Sequence, residues 1–209
     1  SYEVMLEQLE EGNLDIVATG DAVTPSLKSR FAYGPAYQHV QQELVFQAGT
    51  SRPKDLLELD APIVTVAGSS QAHLLSNLLD EVTDQASDGE KPIIKTQLVT
   101  TEDSDSEELL QQVANGDIAY TVADSNRLAL QRRRYPNLAV AKTLNEDMPM
   151  AWALPLHQDD SVKAALIEYF GTVHQSGWFT VLEDKYFGHI RQFDYVDSRA
   201  FNYAAETAL

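Results

Sequence analysis

Two segments of this sequence carry residues suited to hold a charged ligand. In the first, an apolar run over 63–67 is followed by Gly68, Ser69 and Ser70 and then by a helical pattern. Free backbone N–H groups and the positive dipole end at a helix start attract an anion, and Gly68 lets a ligand approach the backbone. In the second, Asp124 ends a strand and precedes a helix, where its carboxylate can hold an ammonium group. Together the two sites suit a zwitterion.

Each segment also has a simpler interpretation. A serine at a helix start is often only an N-cap, worth about 1 kcal/mol, and Asp124 can cap its helix in the same way. No G-x-S-x-G motif surrounds the serines, the five histidines lack metal-ligand spacing, and the sequence has no cysteine. We therefore predict no catalytic residue, no metal site and no cofactor in this chain.

A motif that occurs twice indicates which elements position these residues. Residues 7–21 and 111–125 both read as the end of an amphipathic helix, a glycine, an apolar strand and small polar residues. Gly12 and Gly116 suit the left-handed helix cap. Two such units predict two similar α/β lobes, with Asp21 and Asp124 near the edge of the cleft between them.

The rest of the pattern extends this organisation. Strands alternate with helices, which predicts an α/β fold with mostly parallel sheets and helices on both faces. We assign residues 44–146 to lobe 2 and residues 1–43 plus 147–209 to lobe 1, with hinge strands near 41–46 and 144–150. Two crossings between lobes predict hinge closure around a ligand.

Several local elements follow from the same pattern. Alternation favours one long strand over 37–47, and a proline at the first turn favours a short helix over 52–59. Apolar runs predict strands over 138–143 and 150–155.

Composition excludes some partners. The 209 residues include 15 basic and 32 acidic side chains, a formal net charge of −17. Such an acidic chain argues against nucleic acid or an anionic membrane as a partner. The apolar runs are far shorter than the roughly 18–20 residues of a membrane span, so we expect no direct membrane contact.

Specific strings add a family resemblance. LDIVATG (14–20), VAGSS (66–70) and YTVADSNRLAL (120–130) resemble the family 3 extracellular solute-binding proteins, which clamp amino acids between two lobes. LEDKYFGHIRQFDYVDSRAF (182–201) is similar to the solute-binding-like domain of membrane-bound lytic murein transglycosylases. The resemblance implies a type II periplasmic-binding fold in a periplasmic protein attached to the outer membrane. The lysozyme-like catalytic domain would lie elsewhere in the same polypeptide.

The sequence departs from this family in two places. We expect lobe 1 to lack its first strand–helix–strand unit, which supplies aromatic walls to the family's site. Leu27 stands where the family places a carboxylate-binding arginine, and Ala22 where it places a threonine. The ligand-binding positions that the resemblance implies at Ser70 and Asp124 are present in this sequence. On the lobe 1 side of the site, the nearby candidates are Thr24, Lys28 and Arg30. An arginine at position 27 is then expected to raise amino-acid affinity.

Three functions remain open at this point. The first is a non-catalytic domain of a lytic transglycosylase that senses an amino acid or a peptidoglycan-derived peptide. The second is a stand-alone amino-acid receptor of an ABC transporter. The third is a scaffold that binds no ligand and serves in protein interaction.

Overall fold

The structure is a computed structural model that describes residues 2–20, 22–57, 59–85, 95–157 and 160–187. Its named helices are α1 (Tyr2–Glu10), α2 (Pro25–Arg30), α3 (Ser70–Gln85), α4 (Ser106–Asn115), α5 (Ser125–Gln131) and α6 (Asp160–Gln175). Its strands are β1 (Phe31–Tyr33), β2 (Gln38–Val40), β3 (Gln42–Gln47), β4 (Ile63–Val66), β5 (Leu98–Thr101), β6 (Tyr120–Asp124), β7 (Leu138–Thr143), β8 (Met148–Met150) and β9 (Ala153–Pro155). Residues 178–187 are also helical.

One five-stranded sheet organises the middle of the chain. Its strand order is β5-β4-β6-β3-β7. β4 is parallel to both β5 and β6, whereas β3 is antiparallel to β6 and β7. Four strands therefore run in one direction and β3 opposes them, which agrees with the expected α/β sheet and adds one inverted strand.

Helices cover both faces of this sheet. Along β3, Leu44 and Phe46 join a buried cluster with Leu75 of α3, while Val45 joins a second cluster with Leu110 of α4. Alternate residues of a strand point to opposite faces, so the two clusters are the two hydrophobic cores of one sheet. This confirms the prediction of helices on both sides.

A second, smaller group of elements packs around short antiparallel pairs. β1 pairs with β9, and β2 pairs with β8. Leu6 and Leu9 of α1 pack with Leu27 and Phe31 in one buried cluster. Phe170 of α6 belongs to a neighbouring cluster. The division of the chain into two lobes with hinge strands stays a prediction.

The two copies of the repeated motif differ in the structure. Gly12 and Gly116 both have positive φ, +74° and +83°, as a glycine that ends a helix requires. In the second copy the following segment is β6. In the first copy, the predicted strand is reduced to a single bridge between Val17 and Ala153 among the described residues.

Three local predictions are wrong in detail. The predicted strand over 37–47 is interrupted at Gln41, whose backbone N–H donates to Ser125 Oγ (3.2 Å) and whose carbonyl accepts from Ser125 N (2.8 Å). The predicted strand over 150–155 is divided into β8 and β9. The predicted helix over 52–59 is irregular in its described residues.

Long-range hydrogen bonds explain the missing helix. Thr96 Oγ1 accepts from Leu59 N at 3.1 Å and donates to the carbonyl of Leu56. Arg52 Nη2 donates to Ala141 O at 2.9 Å. Leu56 and Leu59 are buried in the core cluster on the α3 side of the sheet. The segment therefore satisfies its polar groups against other elements instead of within a helix.

Candidate ligand-binding site

Three polar residues meet at one edge of the five-stranded sheet. Asp124 is the last residue of β6, and Ser70 follows the adjacent parallel strand β4. Gln42 begins the inverted strand β3 and lies directly opposite Asp124 in the pairing register. The carboxyl ends of neighbouring parallel strands are where α/β sheets bind ligands. The topology thus brings together Ser70 and Asp124, as the sequence predicted.

Asp124 is fully buried and hydrogen-bonded by two glutamine amides. Its Oδ1 accepts from Gln71 Nε2 at 2.8 Å and from Gln42 Nε2 at 3.3 Å. Gln42 Nε2 also donates to Ser70 Oγ at 2.9 Å. Exposure of these four side chains is 0% for Asp124 and Gln42, 3% for Ser70 and 4% for Gln71. They form one buried polar network, called here the Asp124 cluster.

The structure contradicts the interpretation of Asp124 as a helix cap. The residue lies at the N-cap position of α5, but its side chain makes no capping hydrogen bond. Its second oxygen, Oδ2, instead lies 4.0 Å from Nε of Arg127. A buried carboxylate that does not cap its helix has another structural or functional role, and here it organises the cluster.

Two further polar atoms of the site region have no hydrogen-bond partner among the described residues. These are Oε1 of Gln42 and Nδ2 of Asn145, both inaccessible to solvent. Asn145 Oδ1 meanwhile accepts from the backbone N–H of Gln42 at 2.6 Å. Buried polar atoms are nearly always hydrogen-bonded, so unpaired ones are candidates for contact with a bound molecule.

Ser69 and Gly68 build the turn between β4 and α3. Gly68 has a positive φ of +70°, a conformation that glycine adopts without strain. Ser69 Oγ accepts from Ala72 N at 3.2 Å, which makes Ser69 the N-cap of α3. For Ser69 the simpler interpretation of a helix cap therefore accounts for its hydroxyl. Ser70 directs its hydroxyl into the Asp124 cluster.

The residues predicted from lobe 1 have local partners. Thr24 caps α2, with Oγ1 accepting from Leu27 N at 3.3 Å, and it is buried. Arg30 forms a two-bond ion pair with Glu10, at 2.7 and 3.1 Å. Hydrogen bonding from Arg30 holds the pKa of Glu10 below its usual value. Lys28 is exposed. A ligand role for Thr24, Lys28 and Arg30 stays a prediction, and Thr24 and Arg30 would have to give up these contacts.

Leu27 and Ala22 occupy positions unlike those expected from the resemblance. Leu27 is 3% exposed and packs with Leu6, Leu9 and Phe31. Ala22 is buried and bridges to Met150. The side chain at position 27 therefore packs into a core rather than presenting itself to a ligand. Asp21, expected near the cleft edge, lies outside the described residues.

Sequence reasoning missed Gln42, Gln71, Arg127 and Asn145. Glutamine and asparagine are common surface residues, and only the strand register brings Gln42 opposite Asp124. Two signals were present: Gln71 directly follows the Gly68–Ser70 turn, and Arg127 lies one helical turn after Asp124.

Two kinds of feature are absent from the described residues. They contain no group of three or more histidine, cysteine, aspartate or glutamate side chains placed to hold a metal ion. None of their helices is long and apolar enough to cross a membrane.

Sequence comparison identifies relatives across the whole chain. The family model for bacterial extracellular solute-binding proteins, family 3, matches residues 1–189. The membrane-bound lytic murein transglycosylase F of Alteromonas mediterranea is 84% identical over 209 residues, which are 100% of this chain and 44% of that protein. The protein of the same name from Aliivibrio fischeri is 41% identical over 212 residues, covering 100% and 41%. The chain thus spans less than half the length of these relatives.

Structural comparison supports the predicted fold. A putative L-cystine ABC transporter structure from Listeria monocytogenes aligns with a TM-score of 0.75 at 16% identity, covering 90% of this chain and 76% of that one. The GluR0 ligand-binding core from Nostoc punctiforme, in complex with L-glutamate, aligns with a TM-score of 0.71 at 14% identity, covering 90% and 79%. At such identities the likeness concerns the fold alone, and it confirms the type II periplasmic-binding architecture.

Proposed function

Because this chain belongs to the bacterial extracellular solute-binding proteins, family 3, we propose that it is the non-catalytic sensing domain of a periplasmic lytic murein transglycosylase. It binds an amino acid or a peptide derived from peptidoglycan between its two lobes. Binding biases the activity of a lysozyme-like catalytic domain in the same polypeptide, which is attached to the outer membrane. The 84% identity to a transglycosylase supports this parent over a stand-alone transport receptor.

The Asp124 cluster is the observation that carries the proposal. Four buried polar side chains gather where β4 and β6 end, and burying polar groups is costly unless they are hydrogen-bonded. A domain that served only as a packing scaffold would gain more stability from apolar residues at this place. Retaining the cluster is therefore best explained by ligand binding.

The proposed hinge passes directly beside this cluster. Gln42 N donates to Asn145 Oδ1, and Leu144 N donates to the carbonyl of Gln42, at 2.6 and 2.8 Å. These bonds join the proposed crossings near 41–46 and 144–150. A ligand that contacts Gln42 would therefore act on the segment about which the lobes close. Small-angle scattering should then show a smaller radius of gyration at saturating ligand, and an unchanged radius would argue against closure.

Calorimetric titration tests the binding function directly. The chain is titrated with the twenty amino acids and with purified peptidoglycan peptides. We expect saturable binding by at least one of them and a loss of at least tenfold in affinity for Asp124→Asn, because that variant breaks the orientation of the cluster. Asp117→Asn, at an exposed position, is the matched control and should bind as the wild type does.

Two outcomes would favour the other functions. If no amino acid or peptide bound at millimolar concentration, the chain would be an interaction scaffold. If ligand bound but the complete polypeptide carried no lysozyme-like domain, a stand-alone transport receptor would be the better description.

A further inference from the structure

We propose that the Asp124 cluster selects a ligand whose nitrogen is acylated, as in a peptide or an N-acyl amino acid, over a ligand with a free ammonium group. The inference rests on the proposed function and names the chemical class that the site takes. It follows from the amide and guanidinium groups that lie beside Asp124, and from the donor and acceptor groups that the cluster can present to a ligand.

The first oxygen of Asp124 is engaged by the protein's own amides. Gln71 Nε2 and Gln42 Nε2 donate to Oδ1 at 2.8 and 3.3 Å. These two donors stand where a ligand's ammonium would donate. An ammonium that approaches Oδ1 must therefore displace a buried amide, and the displaced donor would lose its partner in an environment that excludes water.

The second oxygen of Asp124 faces a positive charge. Arg127 Nε lies 4.0 Å from Oδ2, and the Arg127 side chain is 30% exposed while that of Asp124 is fully buried. The carboxylate thus has a counter-ion within the fold. A ligand ammonium at Oδ2 would meet a like charge at short range, which disfavours its charged form. An acylated nitrogen carries no charge and meets no such repulsion.

The cluster still offers the groups that an amide needs. Gln42 Oε1 is a buried acceptor without a hydrogen-bond partner among the described residues. Rotating the Gln42 amide would set this oxygen against the Asp124 carboxylate, so the observed orientation is the favourable one. Ser70 Oγ accepts from Gln42 and can donate its own proton. An acceptor and a donor side by side match the N–H and C=O of an amide.

In α2 the carboxylate of a free amino acid could contact the exposed Lys28, but it lacks the arginine that the family resemblance leads one to expect. Leu27 is packed in the core, and Arg30 is paired with Glu10. Neither charged end of a zwitterion therefore finds the partner that the family resemblance leads one to expect.

Matched ligand pairs test the inference on the unmodified chain. Each of the twenty amino acids and its N-acetyl derivative are titrated by calorimetry under the same conditions. We expect the best N-acetyl derivative to bind at least tenfold tighter than its parent amino acid. A free amino acid that binds as tightly as its acetylated form, or tighter, overturns the inference.

A charge variant tests the cause of the selectivity. Arg127→Leu removes the counter-ion and should shift the ratio of affinities at least tenfold toward the free amino acid. Arg133→Leu removes one charge from an exposed arginine and should leave the ratio unchanged. Equal shifts in both variants would contradict a specific role of Arg127. The ratio measured in the wild type decides the inference even if Arg127→Leu does not fold.

The same titrations separate the two proposals. Tighter binding of free amino acids would leave the sensing function standing and remove the selectivity for an acylated nitrogen. Binding of neither class would overturn both. Selective binding of acylated ligands supports both together.

Discussion

Two regions of this chain were expected to share one ligand, and the structure treats them differently. At the sheet edge, Ser70 and Asp124 come together in a buried polar network. In the segment that contains α2, Thr24 caps the helix and Arg30 pairs with Glu10. The sheet fixes its strand ends relative to one another, whereas the side chains of a short helix form hydrogen bonds and ion pairs with their nearest neighbours. The relative placement of residues is therefore easier to predict at strand ends than in connecting segments.

The largest expected effect comes from replacing Leu27, which stands where the family resemblance leads one to expect an arginine. Leu27→Arg would place a charge in a core cluster and remove a buried leucine, so we expect a loss of about 3 kcal/mol or more in the free energy of unfolding. Chemical denaturation measures this value. Because Leu27 packs with Leu6 and Phe31, we expect an arginine here to lower stability and not to raise ligand affinity. A stable variant with higher affinity would show that position 27 can reach the ligand.

Asp124→Asn tests the sheet edge by the same two measurements, stability and ligand affinity. The asparagine keeps the shape of the side chain but loses the charge that faces Arg127 and weakens the bonds from Gln42 and Gln71. We expect a loss of about 2 kcal/mol in unfolding free energy. Binding of any ligand should weaken at least tenfold. Denaturation and calorimetry on one preparation give both numbers, and unchanged values in both would reduce Asp124 to a passive core residue.

Alkaline pH should destabilise the sheet region through Tyr120. Burial, together with the hydrogen bond that its hydroxyl donates to Asp60 (2.7 Å), raises the pKa of Tyr120 to about 12. The pKa of a tyrosine is about 10 in an unfolded chain. The contribution of protonated Tyr120 to the free energy of unfolding is therefore complete below pH 10 and is lost as pH rises toward 12. At roughly 1.4 kcal/mol per pH unit the loss should be at most about 3 kcal/mol, because solvent screens a hydroxyl that is only partly buried. Tyr120→Phe should remove this part of the pH dependence; a variant with the wild-type slope above pH 10 would contradict the assignment.

The smallest effect is expected in the α2 segment. Arg30 and Glu10 are about one-third or more exposed, 35% and 40%, so their ion pair contributes at most about 1 kcal/mol. Because Arg30 lowers the pKa of Glu10, this contribution is present near neutrality and is lost as pH falls through the Glu10 pKa. Arg30→Ala should thus flatten the acid limb of the stability profile, and the ligand affinity of the same variant tests the predicted ligand role of Arg30. A tenfold loss of affinity would show that Arg30 leaves Glu10 to bind the ligand.

Periodicity and strand-end chemistry predict much of this fold. The apolar run over 138–143 gives β7 with its observed bounds, and Gly116 marks the end of α4. The irregular path of the described residues within 52–59 was not predictable from local pattern, because Thr96 and Ala141 supply hydrogen bonds to them from distant positions. Long-range contacts of this kind override a local helix preference.

The candidate site, like the fold, was predictable where it depends on local pattern and not where it depends on long-range contacts. Ser70 and Asp124 follow adjacent strands, and a sequence that shows the strands also shows their ends. Gln42 could not be assigned in this way, because its place depends on the inversion of β3 and its register with β6. The glutamine amides, which decide the chemistry of the cluster, are visible only once that register is known.

The most direct test of the account is nuclear magnetic resonance of the glutamine side chains. The side-chain N–H signals of Gln42 and Gln71 are assigned with single variants and followed while an N-acetyl amino acid that binds is added. If the ligand enters the Asp124 cluster, these signals shift in proportion to saturation, while those of exposed Gln111 on α4 stay fixed. A ligand that saturates the protein without moving either signal would contradict the central claim that this cluster is the binding site.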